Sequence, residues 1–83
     1  MYRLMAVLTA RAAVSEIPSL DEVYRAHADF VYRTLARFGV AEADRADQLQ
    51  EVFVVVHRQL PRYRPDAKIT TWLYAIARRV AAG

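Results

Sequence analysis

The helix breakers in this chain fall in only a few places, and that restricts its fold more than anything else. Between Pro18, Gly39 and Pro61, apolar residues return every three or four positions. That period puts them on one side of a helix, whereas a strand requires alternation. Leu20, Val23, Tyr24, His27, Phe30, Val31, Leu35 and Phe38 make one such stripe. Ser19 is placed to cap it, with Glu22 returning a bond to the Ser19 amide, and Gly39 suits the left-handed position after the last turn. A helix is expected over 19–38.

A second helix is expected over 42–60, stopped by Pro61, with Leu49, Val52, Phe53, Val56 and Leu60 on one face. The run "VFVVV" (52–56) locally prefers a strand. The helical spacing on both sides of it argues that packing overrides propensity. A loop over 61–68 follows, stiffened by Pro61 and Pro65, then a third helix over 70–82 capped by Thr70 or Thr71. Its inward stripe is Ile69, Trp72 or Leu73, Ile76, Ala77 and Val80. Residues 2–13 form at most a short amphipathic helix. The expected fold is all-α, a compact domain of three to four helices over 19–83 preceded by an N-terminal segment, 1–18.

Length and composition close off several classes. A chain of 83 residues supplies one domain and buries only about 60–65% of its unfolded surface. With no cysteine, disulfides and thiolate metal sites are excluded. No apolar run reaches the roughly 20 residues of a membrane span. Leu4–Ala10 is too short, and too closely followed by Arg11, for an export signal. A cytoplasmic protein without membrane association is expected, and co-sedimentation with liposomes should pellet nothing.

Catalysis finds no support. His27 and His57 lie on different helices without a carboxylate at ligand spacing, and His27 falls in a stripe where a hydrogen-bonded core histidine is expected. Ser15 and Ser19 have no nearby base, and Asp44 with Asp47 reads as a solvated face. No glycine-rich phosphate loop is present. The expectation is no enzyme, no cofactor and no metal.

Charge is more informative. Residues 41–56 carry Glu42, Asp44, Asp47 and Glu51 against Arg45 alone, whereas residues 57–83 carry Arg58, Arg62, Arg64, Lys68, Arg78 and Arg79 against Asp66 alone. Such a division suggests two partners, the second a polyanion. Asp47, Gln50, Glu51 and Val54 follow the i, i+3, i+4, i+7 rule, giving either an ordinary exposed face or a docking ridge for a basic partner. In "PRYRPDAK" cations surround Tyr63, a combination that holds single-stranded nucleic acid by phosphate contact and base stacking. Thr71, Ala75, Arg78 and Arg79 share the outward face of the third helix, flanked by Trp72 and Tyr74; a lone tryptophan such as Trp72 is more often core than reader, though one ring can do both.

The order and spacing of "ADRADQLQEVF" (43–53) and "LPRYRPDAKITTWLYAIARRVA" (60–81) resemble region 2 of bacterial sigma factors, most closely the extracytoplasmic-function group. There the pattern is similar to "AEDLVQEVF", then "LPRFR", then "FRTWLYRIARN". The likeness runs over about 20–82. It implies that Asp47, Gln50 and Glu51 dock on a coiled coil of the β′ subunit of core RNA polymerase. It also implies that the loop through Arg62, Tyr63, Arg64 and Lys68 captures a flipped base of the promoter −10 element. Thr71, Trp72, Tyr74, Ala75, Arg78 and Arg79 would then meet the −10 non-template strand. An anti-sigma factor is a further partner consistent with the family. The chain departs from the pattern at Gln48 (for leucine), His57 (tryptophan), Ile69 (phenylalanine), Ala75 (arginine) and Arg79 (asparagine). Gln48 is expected to loosen packing beneath the ridge. The family's −35-reading helical domain lies outside the likeness. The rival reading is a helical module that binds a protein regulator and no DNA.

Overall fold

The computed structural model describes residues 17–64 and 66–83. They form three helices, α1 (Leu20–Arg37), α2 (Glu42–Gln59) and α3 (Ile69–Ala82), with a 3-10 turn over Leu60–Arg62. Each helix packs on the other two. The fold is all-α, as the periodicity requires. The short helix expected over 2–13 lies outside the described residues.

Local chemistry explains both ends of α1. The Ser19 amide donates to Glu22 Oε1 at 2.9 Å and the Glu22 amide to Ser19 Oγ at 3.1 Å, a reciprocal cap worth about 1 kcal/mol. At the other end Gly39 adopts φ of 89°, which an L side chain resists. Its amide donates to the Ala36 carbonyl, and that of Val40 donates to the Leu35 carbonyl, at 3.0 and 3.1 Å. This pair of bonds turns the chain into α2 within four residues. Arg45 then secures the turn: Nε donates to the Val40 carbonyl at 3.0 Å while the guanidinium lies 5.5 Å from the Tyr32 ring centre.

Val23, Val31 and Leu35 from α1, Val52, Phe53 and Val56 from α2, and Leu73, Ile76 and Ala77 from α3 are buried together with Leu60 and Tyr63. The β-branched run of α2 is helical throughout, because Val52, Phe53 and Val56 are interior and their burial outweighs a propensity deficit of tenths of a kcal/mol per residue. Thr34 is also buried and satisfies its hydroxyl by donating to the Phe30 carbonyl at 2.7 Å.

Three expectations are corrected. His27 is half-buried instead of interior, and Tyr24 is 45% exposed, its ring meeting Phe53 edge-on at 4.9 Å. Both sit on the flank of a stripe wider than the core it covers. In α3 neither Thr70 nor Thr71 is the cap. The Lys68 carbonyl already accepts the Trp72 amide at 3.2 Å, so the first turn closes before either hydroxyl is in position.

Candidate functional site

On α2 the core and the ridge occupy opposite sides. Asp47, Gln50 and Glu51 are exposed, and Val54, one further turn along, is 49% exposed. Among the described residues neither Asp47 nor Glu51 joins an ion pair, so both carboxylates face solvent uncompensated. The ridge is therefore two acidic groups, an amide and a bare valine, set by helix geometry over some 10 Å. Arg58 is exposed three turns beyond Asp47 and marks the basic end of the same face. Its spacing of eleven residues from Asp47 already placed it there, a signal that the charge count alone did not use.

Gln48 lies beside this ridge, turned toward α3. It is half-buried, and its Oε1 is buried without a hydrogen-bond partner among the described residues. The departure from leucine therefore costs more than looser packing: an unpaired acceptor carries a penalty of about 1–3 kcal/mol. Gln48→Leu is expected to raise the melting temperature by about 4–8 °C, corresponding to roughly 1 kcal/mol in a domain of this size. A lower melting temperature in a thermal scan would mean that Oε1 is satisfied after all.

The segment after α2 is closed by a series of short bonds. The Tyr63 amide donates to the Leu60 carbonyl at 3.0 Å and the Ala67 amide to the Arg64 carbonyl at 3.0 Å. Arg62, Arg64 and Lys68 are exposed; Arg64 Nε lies 3.7 Å from Asp66 Oδ1, a solvent-screened pair worth little. Tyr63 departs from the expectation of an open stacking ring. It is only 9% exposed, its ring sits 5.0 Å from that of half-buried Trp72, and its hydroxyl donates to the Ala67 carbonyl. A ring so placed forms the floor of the loop.

α3 separates its two faces cleanly. Leu73, Ile76 and Ala77 are interior, while Thr71, Tyr74, Ala75, Arg78 and Arg79 are exposed. Ala75, Arg78, Arg79 and Ala82 line a shallow depression, two cations beside two small residues. Small residues there let a polymer backbone approach closely. Tyr74 is 45% exposed and leans on Phe38, ring centres 5.2 Å apart, so α1 supports it from behind. Acidic and basic side chains also meet in a cleft between α2 and α3 to which Glu51, Arg58 and Arg79 contribute.

The arrangement thus comprises an acidic helical ridge, a basic loop with a buried aromatic floor, and a basic helical face, all held by one core. Comparison with known proteins shows the family. Residues 23–82 match the family model described as Sigma-70 region 2. Over 71 residues the chain is 38% identical to the ECF RNA polymerase sigma factor SigE of Mycolicibacterium smegmatis. That alignment takes in 86% of this chain and 27% of the relative, so the chain spans about a quarter of the relative's length. No solved structure matches the chain significantly. Among the described residues no helix is long and apolar enough to cross a membrane. With three helices in the expected order and a match over most of their length, the chain belongs to the sigma-70 region 2 family.

Proposed function

We propose that this domain joins core RNA polymerase to the melted −10 element of a promoter and so takes part in starting transcription. Asp47, Gln50 and Glu51 dock on the β′ coiled coil. Arg62, Arg64 and Lys68 hold the strand at the loop, and Thr71, Trp72, Tyr74, Ala75, Arg78 and Arg79 receive the non-template strand along α3. The observation that carries this reading is the exposure of both charge sets on a single core. The acidic set on α2 and the cations of the loop and α3 all face solvent, and among the described residues Arg62, Lys68, Arg78 and Arg79 have no ion-pair partner.

Energetically, the domain traps a strand that has already been opened. Flipping one base costs a few kcal/mol, and a loop pocket with phosphate contacts on either side offsets that cost. No bond is made or broken by the domain. Arg62 lies in the turn before the loop and Arg78 in the last turns of α3, so the two cations belong to different elements of the proposed strand path.

Salt dependence provides the test. Affinity for a single-stranded −10 oligonucleotide is expected to fall steeply with salt in the presence of core polymerase. Arg62→Ala combined with Arg78→Ala is expected to reduce the log–log slope by about 1.4, the value for two lost phosphate contacts on a single strand. Fluorescence anisotropy at several salt concentrations reads the slope. A slope identical in the double variant would sink the phosphate assignment, and the absence of any binding would favour a domain that recognises protein alone.

A further inference from the structure

We propose that the Tyr63 hydroxyl is a positioning group for base capture: it fixes Ala67, and through it Arg64 and Lys68, before DNA arrives. This inference rests on the base-capture reading above and adds a residue-level cause to it. The hydroxyl is not needed for the ring to pack, so its bond to the Ala67 carbonyl is a separate contribution.

The geometry supplies that use. The ring is anchored in the core beside Trp72, and its hydroxyl reaches four residues along to the Ala67 carbonyl. Between these two points the Ala67 amide bonds back to the Arg64 carbonyl. Lys68 follows directly, and its carbonyl accepts the Trp72 amide that opens α3. One hydroxyl therefore ties the segment carrying Arg64 and Lys68 to a buried ring at one end and to the start of the DNA-facing helix at the other. Without it, the backbone at Ala67 would gain freedom that binding must remove, and affinity would fall by that ordering cost. The hydroxyl touches no base. It acts through the loop, by pre-organisation.

Tyr63→Phe removes only this oxygen and keeps the ring, so the tilted contact with Trp72 stays. The chain, assembled with core polymerase, is titrated with a −10 non-template oligonucleotide and with a set in which an abasic position is walked along the strand. In the wild-type chain one abasic position is expected to weaken binding roughly tenfold, the scale of one lost base stack. Tyr63→Phe is expected to weaken binding of the intact strand about fivefold, the scale of one neutral hydrogen bond. Binding of the strand abasic at the captured position should fall less, because only the phosphate contacts of the loop still feel the change, so the intact-to-abasic ratio contracts. A general structural role would lower both affinities together and move the thermal melt. Equal losses on both strands, or no loss on either, overturn the positioning role while base capture stands. A wild-type ratio of one at every position removes base capture itself, and the role of Tyr63 with it.

Discussion

Leu73→Ala is expected to cost about 2–5 kcal/mol, the range for deleting a large aliphatic side chain from a closed core. Leu73 has no exposed surface and lies on α3 among Ile76, Ala77 and the interior valines of α1 and α2. A chain of this length has a total stability of roughly 4–12 kcal/mol, so the loss is a large part of it. Urea denaturation should show a much lower midpoint with a similar slope. Arg78→Ala, one helical turn and a fraction further along on the outward face, should shift the same curve by no more than about 0.5 kcal/mol. The proposed DNA contact and folding are therefore separable on one helix. A Leu73→Ala loss below about 1 kcal/mol would mean that α3 does not close the core.

Charge reversal on the α2 ridge has the opposite signature. Asp47→Lys and Glu51→Lys are each expected to weaken association with core polymerase about 10- to 100-fold while leaving the thermal melt almost unmoved. Both carboxylates are exposed and, among the described residues, unpaired, so folding does not depend on them. Against a basic partner, however, each reversal replaces an attraction with a like-charge contact, which costs several kcal/mol when desolvated. A tenfold change corresponds to 1.4 kcal/mol, so even a partly screened contact is measurable. Higher salt should shrink the difference between wild type and variant, since the Debye length falls to about 8 Å at physiological ionic strength. Competition binding at two salt concentrations reads both effects. Association unchanged at low salt, with the fold intact, would move the docking surface off this ridge.

The sequence carried most of the fold because its signals are local. Ser19 and Glu22 cap α1 within one turn, Gly39 ends it through its own backbone freedom, and the three- and four-residue spacing of Val31, Leu35, Val52, Val56 and Ile76 marks the buried side of each helix. The same periodicity put Asp47, Gln50 and Glu51 on one outward face and Thr71, Ala75 and Arg78 on another. Such relations depend on helix geometry alone, so they can be read without knowing where the neighbouring helices lie.

Long-range contact decided the rest. Tyr63 reads as a loop aromatic open to bases, and only the approach of Trp72 and the core turns it into a buried floor with its hydroxyl on Ala67. Gln48 reads as one polar residue on a polar helix until folding buries its Oε1. The meeting of Glu51 and Arg79 across the α2–α3 cleft joins residues 28 positions apart in the chain. Helix period and capping chemistry were settled by neighbours within one turn. The occupants of the spaces between helices depend on crossing geometry, a property of the packed core that no single stretch of this chain encodes.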